Sequence, residues 1–136
     1  MSQISAHQAL IHIMVTMSAA DRTMTDQELK KIGSVVRNLP VFEGYDPEQL
    51  IEDSRACSAI LQQDNGLGMV ISNALDALPE DMHETIYAVA VEVAAADMVV
   101  EQEELRLLQL LRDSLNVDKL VCAAIERGAR ARHRPL

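Results

Sequence analysis

A chain that repeats itself at a fixed offset is constrained to fold the same unit twice, and this one does so when Ile11 is laid over Tyr87. Residues 11–32, IHIMVTMSAADRTMTDQELKKI, then lie over residues 87–108, YAVAVEVAAADMVVEQEELRLL. Val15 meets Val91, Ala19 and Ala20 meet Ala95 and Ala96, Asp21 meets Asp97, Glu28 meets Glu104, and Leu29 meets Leu105. The apolar spacing continues past these, with Ile32 over Leu108 and Val35 over Leu111. Abundant Ala and Leu would produce some of these coincidences, but not the paired Asp and Glu. Each unit reads as a helix apolar on almost every face, an Asp at its end, a short loop, and a Glu in the first turn of an amphipathic helix. Helices apolar all round belong at the centre of a bundle. Two such units, about residues 3–39 and 80–115, predict one core with an approximate internal two-fold.

The rest of the chain reads as helices added to that frame. The first unit supplies a helix over 3–20 and a second over 26–38, the latter carrying Leu29, Ile32, Val35 and Val36 and stopping before Pro40, which cannot continue it. Residues 41–45 read as a loop. Asp46 and Pro47 open a third helix as N-cap and first-turn residue, and it runs through Leu50, Cys57 and Leu61 to a stop at Asp64, Asn65 and Gly66. A fourth helix carries Leu67, Val70, Ile71, Ala74, Leu75 and Leu78 on one stripe. Pro79 begins a fifth with Ile86, Val89, Val91 and Val93, and a sixth over 101–115 presents Leu105, Leu108, Leu111 and Leu115. Asp118 caps a seventh with Leu120, Val121, Ala124 and Ile125. No segment alternates with period two, and a chain that is 49% hydrophobic but only 2% aromatic favours helix over strand. The expectation is a single all-α domain over residues 1–136, a bundle of about seven helices. The run Asn65-Gly66-Leu67-Gly68 follows a helix rather than a strand and lacks a Lys-Ser/Thr element, so it reads as an interhelical turn and not a phosphate loop.

Charge narrows the partners. The net charge is −9, yet residues 126–136 set Glu126 against Arg127, Arg130, Arg132 and Arg134, a local +3. The acidic body repels phosphate backbones, and three aromatic residues make no stacking platform, so no nucleic-acid partner is expected. The basic tail is expected to complement the dipole at the end of the last helix, with weak contact to an anionic partner or membrane surface as the alternative. No apolar run approaches the length of a membrane span, so an integral membrane protein is not expected. Cys57 and Cys122 form no CxxC pair, and the N-terminus lacks the features of a signal peptide. A cytoplasmic protein with two reduced, buried thiols is the expectation.

Ala-Ala-Asp, then six residues, then Glu-Leu, occurring twice with helices on both sides, resembles the tellurite-resistance TerB family, and the resemblance spans essentially the whole chain. In that family the Asp is commonly followed by Gly, whereas Arg22 and Met98 stand in those places here. The resemblance implies an all-helical domain, found also in the membrane-proximal region of some J-domain co-chaperones. It further implies an acidic patch that binds a divalent metal, and a part in responses to tellurite, phage or colicins. On that basis a non-enzymatic stress-response adaptor is expected, with no required cofactor and with a protein partner that is itself membrane-associated.

The carboxylates admit two accounts. Thr25 followed by Glu28 is a capping box, which explains Glu28 without any ligand. In the second unit Glu101 replaces Thr25, yet Glu104 persists. Asp21 and Asp97 can close their own loops by accepting backbone amides. Alternatively Asp21, Asp26 and Glu28, with Asp97, Glu101, Glu103 and Glu104, supply the convergent oxygens that Ca²⁺ or Mg²⁺ requires. Asp21, Glu28, Asp97 and Glu104 are the candidate metal ligands. Neither loop has the ligand order of an EF-hand, and no His–Cys spacing matches zinc. A scaffold that binds protein alone is the alternative, and a small hydrolase or proton-transfer enzyme is a third reading. That last rests on Glu92, set between Val91 and Val93, which either reaches solvent at the helix edge or finds a donor such as His12.

Overall fold

A helix apolar on every face needs neighbours on every side. The computed structural model describes residues 4–19, 24–96 and 102–136. Among these are seven α-helices and no strand: α1 (Ala6–Ala19), α2 (Asp26–Asn38), α3 (Leu50–Leu61), α4 (Gly66–Ala77), α5 (His83–Ala96), α6 (Gln102–Leu115) and α7 (Lys119–Arg132). Every residue of α1 from Ala9 to Met17 is buried. Its neighbours are α3, α4 and α5, and α5 packs in turn against α7, α6 and α2. The two apolar helices therefore form the central pair, and a single hydrophobic cluster reaches from Ala9 to Ala129 around them.

The doubled unit is visible in register. α2 begins at Asp26 and α6 at Gln102, the same offset that lays Ile11 over Tyr87. The two hairpins nevertheless pack unequally. α2 lies against both α1 and α5, whereas α6 packs on α5 and touches α4. Outer helices bury single stripes. In α3 the stripe is Leu50, Asp53, Ser54 and Cys57, at spacings of three, four and seven, so a carboxylate faces the core.

Helix ends follow the local chemistry. Thr25 caps α2: its hydroxyl accepts from the Glu28 amide at 3.2 Å, and Glu28 Oε1 accepts from the Thr25 amide at 2.9 Å. Ser5 and Gln8 make a second reciprocal box at α1, one that sequence reasoning missed although its spacing is the same. Asp46 and Asp118 accept from the amides two residues on, as expected of caps. Asp46 and Pro47 first form a short 3₁₀ turn, Pro47–Gln49, which leads into α3. Residues 41–45 are more ordered than a loop. Pro40–Phe42 is a 3₁₀ turn, Phe42 is buried, and the rings of His7, Phe42 and Tyr45 cluster with centroids 5.6 to 6.4 Å apart. Two leucines placed on apolar faces by spacing lie outside: Leu105 is 52% and Leu120 77% exposed. Each sits near one end of its helix, where the periodicity holds but no neighbouring helix covers it.

Candidate functional site

The four candidate metal ligands divide into two groups. Asp21 and Asp97 lie outside the described residues, as do Arg22, Met98 and Glu101. Glu28 and Glu104 sit in the first turns of α2 and α6, Glu28 buried and Glu104 half-buried, and neither is without a partner. Glu28 spends Oε1 on its capping box, accepting from both the amide and the hydroxyl of Thr25. Among the described residues no group of three His, Cys, Asp or Glu side chains is arranged to hold a metal ion. The proposed set consists of carboxylates alone, the donor chemistry of hard cations rather than zinc.

His12 and Glu92 do not meet as a pair. Both Glu92 oxygens are taken by the end of α7: Arg132 Nη2 donates to Oε1 at 2.5 Å and His133 Nε2 to Oε2 at 2.6 Å. Burial alone would raise this carboxyl, but the two donors and their charge bring it below the usual carboxylate range. Glu92 is thus at the helix edge with donors supplied from the C-terminal segment, not from α1. The basic tail does more than complement a helix dipole, since Arg132 and His133 fasten α7 to α5.

His12 instead faces α3. It is buried, its Nδ1 has no hydrogen-bond partner, and its own carbonyl accepts from Thr16 Oγ1 at 2.7 Å and from the Cys57 thiol at 3.4 Å. Asp53 stands close by, holding the Tyr45 hydroxyl at 2.5 Å and Gln8 Nε2 at 3.2 Å. Burial pushes the Cys57 thiol up to about 11, only partly countered by Thr16, so it stays protonated and enclosed. A histidine, a carboxylate and a thiol are therefore neighbours here, but the sulfur is neither ionised nor accessible, which is what a nucleophile needs. Cys57 and Cys122 are both free, buried thiols.

His12 has a measurable consequence. Burial holds its pKa below 6.5, with Asp53 acting in the opposite direction. The unfolded chain then takes up a proton that the native state refuses. The contribution of neutral His12 is complete above pH 6.5 and is lost as pH falls below it, at up to ~1.4 kcal/mol per pH unit. Denaturant unfolding at pH 7, 6 and 5 should show this decline, with a shallower slope in His12→Gln; an unchanged slope would assign the proton elsewhere.

A second polar cluster was legible only in the differences between the repeats. Tyr87 stands where Ile11 does, and Arg112 where the buried Val36 does. The two replacements touch: Arg112 Nη1 donates to the Tyr87 oxygen at 3.0 Å and to Glu126 Oε2 at 2.9 Å, and the Tyr87 hydroxyl donates to the same Glu126 oxygen. Two apolar positions of one hairpin have become a hydrogen-bonded tyrosine and arginine in the other, both bound to Glu126 from α7.

Fold and acidic hairpins together define a class, an all-helical bundle centred on two apolar helices, each leading to an amphipathic partner with a Glu in its first turn. The family model described as Tellurite resistance protein TerB matches residues 7–127, and the chain belongs to that family. No curated protein and no solved structure matches it. No helix among the described residues is long and apolar enough to cross a membrane.

Proposed function

We propose that the chain is a non-enzymatic, cytoplasmic stress-response module that binds a divalent cation, Ca²⁺ or Mg²⁺, and docks on a membrane-associated protein partner. The observation that carries this reading is the acidic motif shared by residues 11–32 and 87–108, within a chain matched as TerB over residues 7–127. A Glu kept at position 104, where its capping partner has been replaced, supports a second demand on that carboxylate. Asp21, Glu28, Asp97 and Glu104 would hold the ion, which supplies positive charge between carboxylates that otherwise repel one another.

Calorimetry and thermal unfolding with Ca²⁺, Mg²⁺ and Mn²⁺ test the reading. Saturable heat is expected, with a stabilisation of about 1.4 kcal/mol at ten times the dissociation constant. Asp21→Asn with Asp97→Asn should abolish both effects. No heat and no thermal shift at millimolar metal would overturn the metal site and leave a scaffold that works through its apolar surface alone. Equal affinity in the double variant would remove those two acids from it.

A further inference from the structure

A cleft of about 330 Å³ opens between α5, α6 and α7, within the roughly 300–1,000 Å³ typical of small-molecule sites. Its apolar wall is Val91, Ala94, Ala95, Leu105 and Leu108. On the repeat, Val91, Ala95 and Leu108 correspond to Val15, Ala19 and Ile32, all buried in the first hairpin. In the second hairpin Val91 and Leu108 are buried as well, but Ala95 is only partly covered, and Leu105 is 52% exposed where its counterpart Leu29 is half-buried. The second unit thus leaves Leu105 and Ala95 at the cleft more open than the matching positions of the first.

The charges at this cleft do not balance. Arg112 is paired with Glu126, and Arg132 and His133 with Glu92. Arg130 and Arg134 also line the cleft, and no ion pair is formed by either among the described residues. Two uncompensated guanidinium groups thus stand beside an apolar wall, in a chain whose net charge is −9. Guanidinium groups take carboxylates in a two-pronged fork, and each methylene buried beside them strengthens binding further. A nucleotide fits less well, because His133 is the sole aromatic ring among the lining residues and a base needs a face to stack on.

We propose that this cleft binds a monoacyl anion of medium chain length, a ligand of the fatty-acid class, with its tail against Leu105 and Leu108 and its carboxylate taken by Arg130 and Arg134. The cleft lies on the second hairpin, but neither Glu28 nor Glu104 is among the described residues that line it, so decanoate binding measured without added metal tests it apart from the metal reading.

Amide-resolved NMR titration of the full chain with decanoate, below its micelle-forming concentration, tests it. Saturable shifts are expected in α5, α6 and α7. Decanol, with the same tail and no charge, should bind at least tenfold more weakly, and acetate should not bind. Arg130→Gln/Arg134→Gln should weaken decanoate at least tenfold with the thermal midpoint unchanged, since both side chains are exposed. Leu105→Glu, also on the surface, should weaken it comparably and carries the test by itself if the arginine variant does not fold. The proposal is overturned if decanoate produces no saturable shift, if decanol matches it, if the variants bind as well as the parent, or if the shifts fall on α1 to α4. It is equally overturned if the chain binds anionic phospholipid vesicles but not monomeric decanoate, which would mark a membrane-surface patch instead.

Discussion

Leu10→Ala should cost about 3–5 kcal/mol, the upper part of the range for emptying a core leucine site. Leu10 is fully buried in α1, a helix enclosed by α3, α4 and α5. With packed helices on several sides, none can move in without losing contacts elsewhere, so the cavity stays largely open. Against a typical total stability of roughly 5–15 kcal/mol, the unfolded fraction rises by about two to four orders of magnitude. Urea unfolding followed by circular dichroism should show the midpoint drop with little change in slope. Leu120→Ala, on the exposed side of α7, should stay within about 0.5 kcal/mol of the parent. Similar losses in the two variants would contradict the central placement of α1.

Gly66→Ala is the second large effect, and its sign is the informative part. In an ordinary helix this change gains up to ~1 kcal/mol. At Gly66 an added Cβ would run into the Ile60 carbonyl oxygen and lie 2.7 Å from Leu61 Cα. Both are backbone atoms of the last turn of α3, brought near by the tight connection through Asn65, whose φ of 57° turns the chain. Backbone cannot rotate aside as a side chain can, so α3 and α4 must separate, at a net cost of about 1–3 kcal/mol. Gly68→Ala provides the contrast. The atoms nearest its Cβ all belong to the Asn65 side chain, the closest at 2.5 Å, and that side chain can swing away, so this variant should be neutral or slightly stabilised. Thermal midpoints of the two variants decide the matter, and a stabilised Gly66→Ala would mean that α3 and α4 do not approach this closely.

The parts of the structure that the sequence made legible are those governed by local rules. Period and capping chemistry located α1 and α5 as the central pair, the box at Thr25 and Glu28, and the caps at Asp46 and Asp118. Long-range partnership was not legible. Periodicity assigns a side chain to a face but does not say which helix lies opposite that face. Glu92 therefore could not be matched to Arg132 and His133, which lie at the far end of the chain and beyond the repeat. Leu105 and Leu120 were misplaced for the same reason. The candidate metal ligands were legible as a repeated pattern, and their two aspartates fall outside the described residues. Asp53 carried a local signal that went unread, a carboxylate on the same stripe as Leu50 and Cys57. The Tyr87 and Arg112 cluster carried a subtler one, in the positions where the two copies disagree.

The central position of α1 also sets a timetable for synthesis. Its apolar surface leaves the ribosome ahead of α5, one of the helices that must cover it, which begins only at His83. At about 5–20 residues per second, the nascent chain carries that uncovered surface for several seconds. α3 and α4 emerge in the interval and can shield part of it. The order of the helices thus makes the interval before α5 arrives the period in which this chain is most exposed to chaperones and to its own neighbours.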